Sequence, residues 1–185
     1  MLLRTLPYPI ACAVHGTLVG GGVAGCMHSD YLVADRASTF EHGNLVRGVC
    51  VLGMLSQTFT HALGPHAQHV YLQNARLDAA TAQLLGLVHE VRTGIAAAKE
   101  RAHEVVRLTA RCSGLVVSSY TRRAAVDVAI LAREAEGHAE CQLLNGGFAK
   151  SRLAHHTSPI DHSMDDTPIV LEPAASAARG LAAGP

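Results

Sequence analysis

Charge is scarce in this sequence and favours neither sign. Lys and Arg number 15 and Asp and Glu 15, so the net charge is zero with histidine neutral, and charged residues make up only 16% of the chain. That balance leaves no electrostatic footprint for nucleic acid and no basic face for a membrane surface. Long apolar runs are missing too. No stretch reaches the ~18 residues that a membrane-spanning helix needs, and the opening MLLRTLPYPI has too short an apolar run before Pro7 for a secretory signal. The expectation is a cytoplasmic protein with neither nucleic-acid nor membrane partners.

Cysteine and histidine exclude further classes. The five cysteines, Cys12, Cys26, Cys50, Cys112 and Cys141, are odd in number and widely spaced, with no CxxC pair. Zinc sites and disulfide frameworks are therefore not expected, and reduced thiols in a cytosol-like compartment fit better. Cys12, Cys26 and Cys50 sit in apolar surroundings and read as small buried hydrophobes. The twelve histidines are scattered without HxxxH spacing. His61 is cut off from His66 and His69 by the Gly64-Pro65 break, so no metal site is expected. His15 reads as a turn residue, and His28 with Asp30 as a polar pair at a helix end.

The 185 residues suffice for one domain with a real core. PIACAVHG, residues 9–16, reads as a buried strand, and residues 22–29 as a tightly packed helix. YLVADRASTF, residues 31–40, begins as a second strand and turns at Asp35-Arg36. The result is a βαβ-like unit. MLSQTFTHALG is a helix stopped by Gly64-Pro65. PHAQHVYLQN and DAATAQLLGL are two more, the second N-capped by Asp78. VHEV, residues 88–91, is a short strand. From Thr93 to Leu144 the pattern is helical. One stripe contains Ile95, Ala98, Ala102, Val105, Val106 and Leu108, and a second contains Ala125, Val128, Ala129, Ala132 and Ala135. Asn145-Gly146-Gly147 stops this region. The spacing predicts a core over residues 1–92, a helical region over 93–147 and a loose tail over 148–185.

HGTLVGGGVAGCMHSD, residues 15–30, places Gly20-Gly21-Gly22 where a strand hands over to a helix. Glycine there lets the backbone approach a ligand and leaves the first helical N–H groups free to hold an anion or a developing oxyanion. Tight helix–sheet packing without a ligand is the alternative. The run lacks the Gly-Lys-Ser/Thr ending of a phosphate-binding loop and the spacing of a dinucleotide fingerprint.

LPYPIACAVHGTLVGGGVAGCMHSDYLVADRASTF resembles the crotonase family, the enoyl-CoA hydratases and isomerases. The matching features are Ala13-Val14-His15-Gly16, then Gly20-Gly21-Gly22, Asp30, and the turn Ala37 to Phe40. The likeness continues through Gly48, Leu63-Gly64 and LDAATAQLLGLVHEV, and spans roughly Leu2 to Gly147. It implies an α/β crotonase-like layered core of ββα type with a helical C-terminal region. The family's opening strands would precede the first element here, along with the turn that supplies a second oxyanion N–H.

The resemblance implies an acyl thioester substrate, carried on coenzyme A or an acyl carrier protein, with no separate cofactor. One donor to the thioester oxygen would be the Gly21 N–H, with Gly20 and Gly22 completing the substrate-binding turn. The family's two catalytic glutamates fall at Ala24 and Asn44, neither of which transfers a proton. Glu41 and His42, in FEHGN, are then the nearest titratable candidates. His42 suits proton transfer near neutral pH, and Asn44 could orient a thioester or carboxylate group. Arg122-Arg123 could meet coenzyme A phosphates, or form a solvated helix face.

The implied activity is lyase or isomerase chemistry by enolate stabilisation, including decarboxylation, in fatty-acid metabolism or polyketide assembly. The alternative is a catalytically silent relative that works by binding or assembly. The resemblance also implies a homotrimer or hexamer formed through the helical region, where the Ala-rich helix from about Ala124 to Leu144 presents an apolar face that needs covering.

Overall fold

A computed structural model describes residue 3, residues 6–110 and residues 128–144 of the chain. Two three-stranded sheets frame it. In the first, β1 (Ala11–Val14), β3 (Tyr31–Asp35) and β6 (Glu90–Arg92) run parallel, with β3 in the middle. In the second, β2 (Thr17–Val19) pairs in parallel with β4 (Thr39–Glu41), and β4 pairs antiparallel with β5 (Arg76–Asp78). The chain passes from the first sheet to the second twice, after Val14 and after Asp35.

Side-chain alternation explains why the first sheet is covered on both faces. Val14, Leu32 and Ala34 turn into the main core, with Cys12 partly buried beside them. Ala11, Ala13, Tyr31 and Val33 face the other way, against Ile95, Ala98 and Ala102 of α5 (Ile95–Thr109), numbered after the four helices that precede it. Those four are α1 (Gly21–Cys26), α2 (Leu55–Leu63), α3 (His66–Leu72) and α4 (Ala79–Leu84). Their apolar sides, among them Val23, Leu55, Phe59, Leu63, Val70 and Ala82, close over Phe40 and Leu77 of the second sheet. The last described helix is α6 (Val128–Leu144).

Most element positions agree with the sequence pattern. Asp78 caps α4, accepting from the Thr81 N–H at 2.7 Å. Gly64 and Pro65 separate α2 from α3. The differences have local causes. β2 and β5 are three-residue strands and too short to show an alternation. The expected turn at Asp35-Arg36 is present, and the chain beyond it forms the short strand β4. Asp35 Oδ1 accepts from the N–H groups of Ala37, at 3.4 Å, and Gly94, at 2.9 Å, and the chain bends there into the second sheet. β6 starts later than Val88, whose N–H closes the end of α4 on the Ala82 carbonyl.

The stripe along α5 is buried only in part. Ala98 and Ala102 are inside, while Leu108 is 70% exposed. On α6 the expected face is inverted. Val128, Ala129, Ala132 and Ala135 are exposed, and the buried residue is Glu134. Its carboxylate accepts three hydrogen bonds at the start of α2. The Met54 N–H donates at 2.7 Å, the Ser56 N–H at 3.1 Å and the Ser56 hydroxyl at 2.6 Å. Met54 holds a left-handed conformation, φ 62°. A helix start has N–H groups with no internal acceptor, and Glu134 satisfies them from the far end of the sequence. No group of residues suited to a metal ion occurs among the described residues, and His61, His66 and His69 are exposed. The tail over 148–185, the stop at Asn145-Gly146-Gly147, Arg122-Arg123, Cys112 and Ala125 lie outside the described residues.

Replacing Glu134 leaves the Met54 and Ser56 N–H groups without their acceptor. Glu134→Ala should lower the urea unfolding free energy by about 2 kcal/mol or more. Glu134→Gln, which keeps one acceptor oxygen, should lose less. Equal losses for the two variants in urea titration would contradict this account of α6.

Candidate active site

The three consecutive glycines do different jobs. Gly20 ends β2 with φ 49° and ψ −105°, a conformation that L side chains rarely adopt. Its N–H donates to the Glu41 carbonyl at 3.1 Å, and its carbonyl accepts from the Ala24 N–H at 2.9 Å. A β-carbon on Gly20 would lie 3.3 Å from Asn44 Oδ1 and 3.5 Å from the His42 carbonyl oxygen. Gly20 is therefore fixed by the fold. Gly21 is exposed, has no positive φ, and a β-carbon there would meet nothing within 4 Å. Gly22 is likewise exposed, and its β-carbon would reach only Leu18 Cβ, at 3.8 Å. Neither conformation nor packing within the described residues calls for glycine at 21 or 22. Both open the first turn of α1, where N–H groups have no carbonyl four residues back within the helix, and no side chain caps them.

The segment after β4 lies against this turn. Asn44 Nδ2 donates to the Cys50 carbonyl at 3.4 Å. A carbonyl only accepts, so this contact fixes the amide orientation and leaves Oδ1 on the Gly20 side. Oδ1 is buried there without a hydrogen-bond partner among the described residues. Of the candidate residues, Asn44 is thus brought to the glycine turn.

Glu41 and His42 are placed differently. Glu41 is buried, and its carboxylate is shared by Arg47, at 3.2 Å, Arg76, at 3.4 Å, and the Asn74 amide, at 3.3 Å. Asn74 also accepts from the Gly43 N–H at 3.2 Å, and Arg47 donates to the Gly43 carbonyl at 2.6 Å. The carboxylate ties the 43–47 bend to β5. His42 is 4% exposed and stands edge-on to Phe59, at 5.0 Å, and Tyr71, at 4.6 Å. Burial pushes its imidazole down to about 4, so the ring is neutral at physiological pH. Its Nδ1 has no partner among the described residues. Ala24 is buried on α1.

The surroundings of the glycine turn are therefore nearly neutral. Sequence reasoning missed Asn74, Arg47 and Arg76 as the groups that occupy Glu41. It also missed Cys50, whose carbonyl orients Asn44, and His138, whose Nδ1 lies 3.4 Å from that carbonyl. Arg47 and Glu41 share one exposed-looking loop, and their pairing was the one legible signal. Asn74, Arg76 and His138 come from distant elements.

A model of the enoyl-CoA hydratase/isomerase family matches residues 1–155. Over 85 residues the chain is 38% identical to the (7aS)-7a-methyl-1,5-dioxo-2,3,5,6,7,7a-hexahydro-1H-indene-carboxyl-CoA hydrolase of Mycobacterium tuberculosis. That stretch covers 45% of this chain and 33% of the relative. Among solved structures, the enoyl-CoA hydratase/isomerase of Pseudoalteromonas atlantica T6c superposes with a TM-score of 0.65 at 25% identity, over 80% of this chain and 61% of that one. One from Mycobacterium abscessus gives a TM-score of 0.58 at 25% identity, over 83% and 60%. The chain spans about a third of the curated relative and about three-fifths of these structures. The likeness bears out the expected layered α/β fold with a helical C-terminal region.

Two outcomes check this geometry. Gly20→Ala should cost about 1–2 kcal/mol, because the left-handed backbone and Asn44 Oδ1 both oppose a β-carbon. Gly21→Ala, in open space at a helix start, should leave stability unchanged or raise it by up to about 1 kcal/mol. Urea unfolding of both variants decides, and equal destabilisation would refute the division. For His42, the folded pKa lies below the unfolded one, so the unfolded chain takes up the proton first as pH falls. The resulting loss of stability runs from about pH 6.5 down to about 4 and then levels off. In His42→Phe that component should vanish, read as the difference between the two stability profiles over pH 4–7.

Proposed function

The chain belongs to the enoyl-CoA hydratase/isomerase family, and on that premise we propose that it binds an acyl thioester, on coenzyme A or an acyl carrier protein, and stabilises its enolate through the Gly21 N–H. One observation carries this reading: Gly21 has no side chain although neither its backbone conformation nor its packing among the described residues forbids one. A side chain there would stand where a thioester oxygen must come to reach the N–H. Since α1 has only six residues, the stabilisation rests on the N–H donor itself more than on a long helix dipole. A donor aimed at developing charge contributes about 2.7–4 kcal/mol to a transition state.

The neighbouring groups limit the chemistry. Hydration by two carboxylates needs proton-transfer groups at 24 and 44, and those positions hold Ala24 and Asn44. Glu41 is held by two arginines, and His42 is a neutral ring between two aromatics. This favours reactions in which the enolate forms by bond cleavage, as in decarboxylation, or in which the substrate supplies the proton acceptor. Hydrolysis of a CoA substrate, the activity named for the mycobacterial relative, is a further possibility of the same site. The same lack of acid and base also favours a second reading, a silent member that binds or assembles without turnover. The exposed apolar side of α6, with Val128 75% and Leu143 83% exposed, supports self-association as a trimer or hexamer under either reading.

Calorimetric titration with a short acyl-CoA tests the proposal. The parent chain should bind. Gly21→Pro removes the donor and should lose affinity or turnover by about 10²–10³-fold, beyond any change in melting temperature. Gly21→Ala should fold as well as the parent yet bind more weakly. No binding of acyl-CoA or acyl-carrier thioester by the parent at millimolar concentration would reject the enzyme reading and leave the silent one.

A further inference from the structure

The described residues hold two thiols that the proposed chemistry does not use, and both lie where α6 crosses the segment beside the glycine turn. Cys50 follows the bend that starts at Asn44, and Cys141 lies on α6, four residues after Gly137. A β-carbon on Gly137 would lie 2.7 Å from Cys50 Sγ but 3.6 Å from Cys50 Cβ. The sulfur is nearer the helix than its own β-carbon, so the thiol points at α6. A β-carbon at 137 would displace it. Residues 137 and 141 are stacked on one side of the helix, one turn apart. His138, on the same side, has Nδ1 3.4 Å from the Cys50 carbonyl. Burial raises the pKa of Cys50 and a charge on Cys141 raises it further, and both thiols also act electrostatically on Tyr71. Both cysteines are half-buried, within reach of a small oxidant.

We propose that Cys50 and Cys141 are a reversible redox pair whose disulfide fastens α6 to the segment that orients Asn44. This does not depend on the thioester reading. The sequence pattern had Cys50 as a small core hydrophobe among widely spaced cysteines. Cys50 does pack, partly buried, against the main core, and its sulfur is also aimed at a helix distant in sequence. With hydrogen peroxide as oxidant, one thiolate attacks a peroxide oxygen and becomes a sulfenic acid, releasing the first water after proton transfer. The other thiolate then attacks that sulfur, forming the S–S bond and expelling the second water. Two thiols are oxidised by two electrons and one peroxide is reduced to two waters.

The reduced chain is treated with a slight excess of hydrogen peroxide or diamide at pH 8, then alkylated, digested without reductant and mapped by mass spectrometry. A peptide pair joining Cys50 to Cys141, two hydrogens lighter than the free thiols and released by dithiothreitol, is the expected product. Cys50→Ser and Cys141→Ser should each abolish it, and Cys12→Ser should not. The bond closes a loop of roughly 90 residues, so the oxidised chain should melt roughly 5–10 °C higher than the reduced one. A fully oxidised sample in which Cys50 or Cys141 pairs instead with Cys12, Cys26 or Cys112, or forms only sulfinic acid, overturns the proposal. So does a Cys50–Cys141 bond that lowers the melting temperature, because the two thiols would then not be neighbours in the native fold.

Discussion

The hydrogen bond from the Gly20 N–H to the Glu41 carbonyl is the contact on which the site's geometry depends. It forms where β2 ends beside β4, and the chain turns immediately after it through φ 49° at Gly20. With that conformation the chain leaves the second sheet and starts α1 at once, so Gly21 and Gly22 turn outward. The same approach brings Asn44 Oδ1 to within 3.3 Å of where a β-carbon would be. Any L side chain at 20 would strain the backbone and push Asn44 away together. One glycine thus sets the sheet-to-helix corner, the exposure of its neighbour and the position of the facing amide.

Much of this was legible in the sequence, and the limits are physical. The glycine run between a strand and a helix, the Asp78 cap and the Gly64-Pro65 break are local signals, encoded in adjacent residues. The division of labour among the three glycines was not legible. It depends on which of them faces Asn44, and that is a contact between β2 and the segment after β4. β2 and β5 escaped because three residues cannot display a period of two. The α6 stripe misled for a related reason. Amphipathic spacing shows that a helix has an apolar side, not which side meets the protein. On α6 the decision went to Glu134, because three donors at the start of α2 compensate the burial of one carboxylate. A few exposed alanine and valine methyl groups forfeit less than an unpaired cap would.

The candidate acid–base residues show the same dependence on distant partners. A loop reading FEHGN presents a carboxylate and an imidazole side by side, and in isolation both would titrate and exchange protons with a substrate. The fold separates their roles. Arg47 and Arg76 approach Glu41 from the bend and from β5, turning it into an anchor. Phe59 and Tyr71 approach His42 from α2 and α3, and the apolar surroundings favour the uncharged ring. Neither effect is visible within the pentapeptide. Asn44 keeps a polar atom, unpartnered among the described residues, toward the turn.

These constraints explain why a neutral site is also a closely braced one. Leaving Asn44 Oδ1 unpaired in a buried position costs free energy, and an amide would relieve that cost by rotating unless something held it. The Cys50 carbonyl does so from one side, and the Gly20 corner blocks the other. Cys50 in turn is held by α6, through His138 at its carbonyl and through the missing side chain at Gly137 against its sulfur. α6 is itself pinned by Glu134 at the start of α2. The orientation of one uncharged amide beside the glycine turn is therefore set by a chain of contacts that reaches the last described helix. A change anywhere along it, from Glu134 to Gly137, would act on Asn44 without touching it.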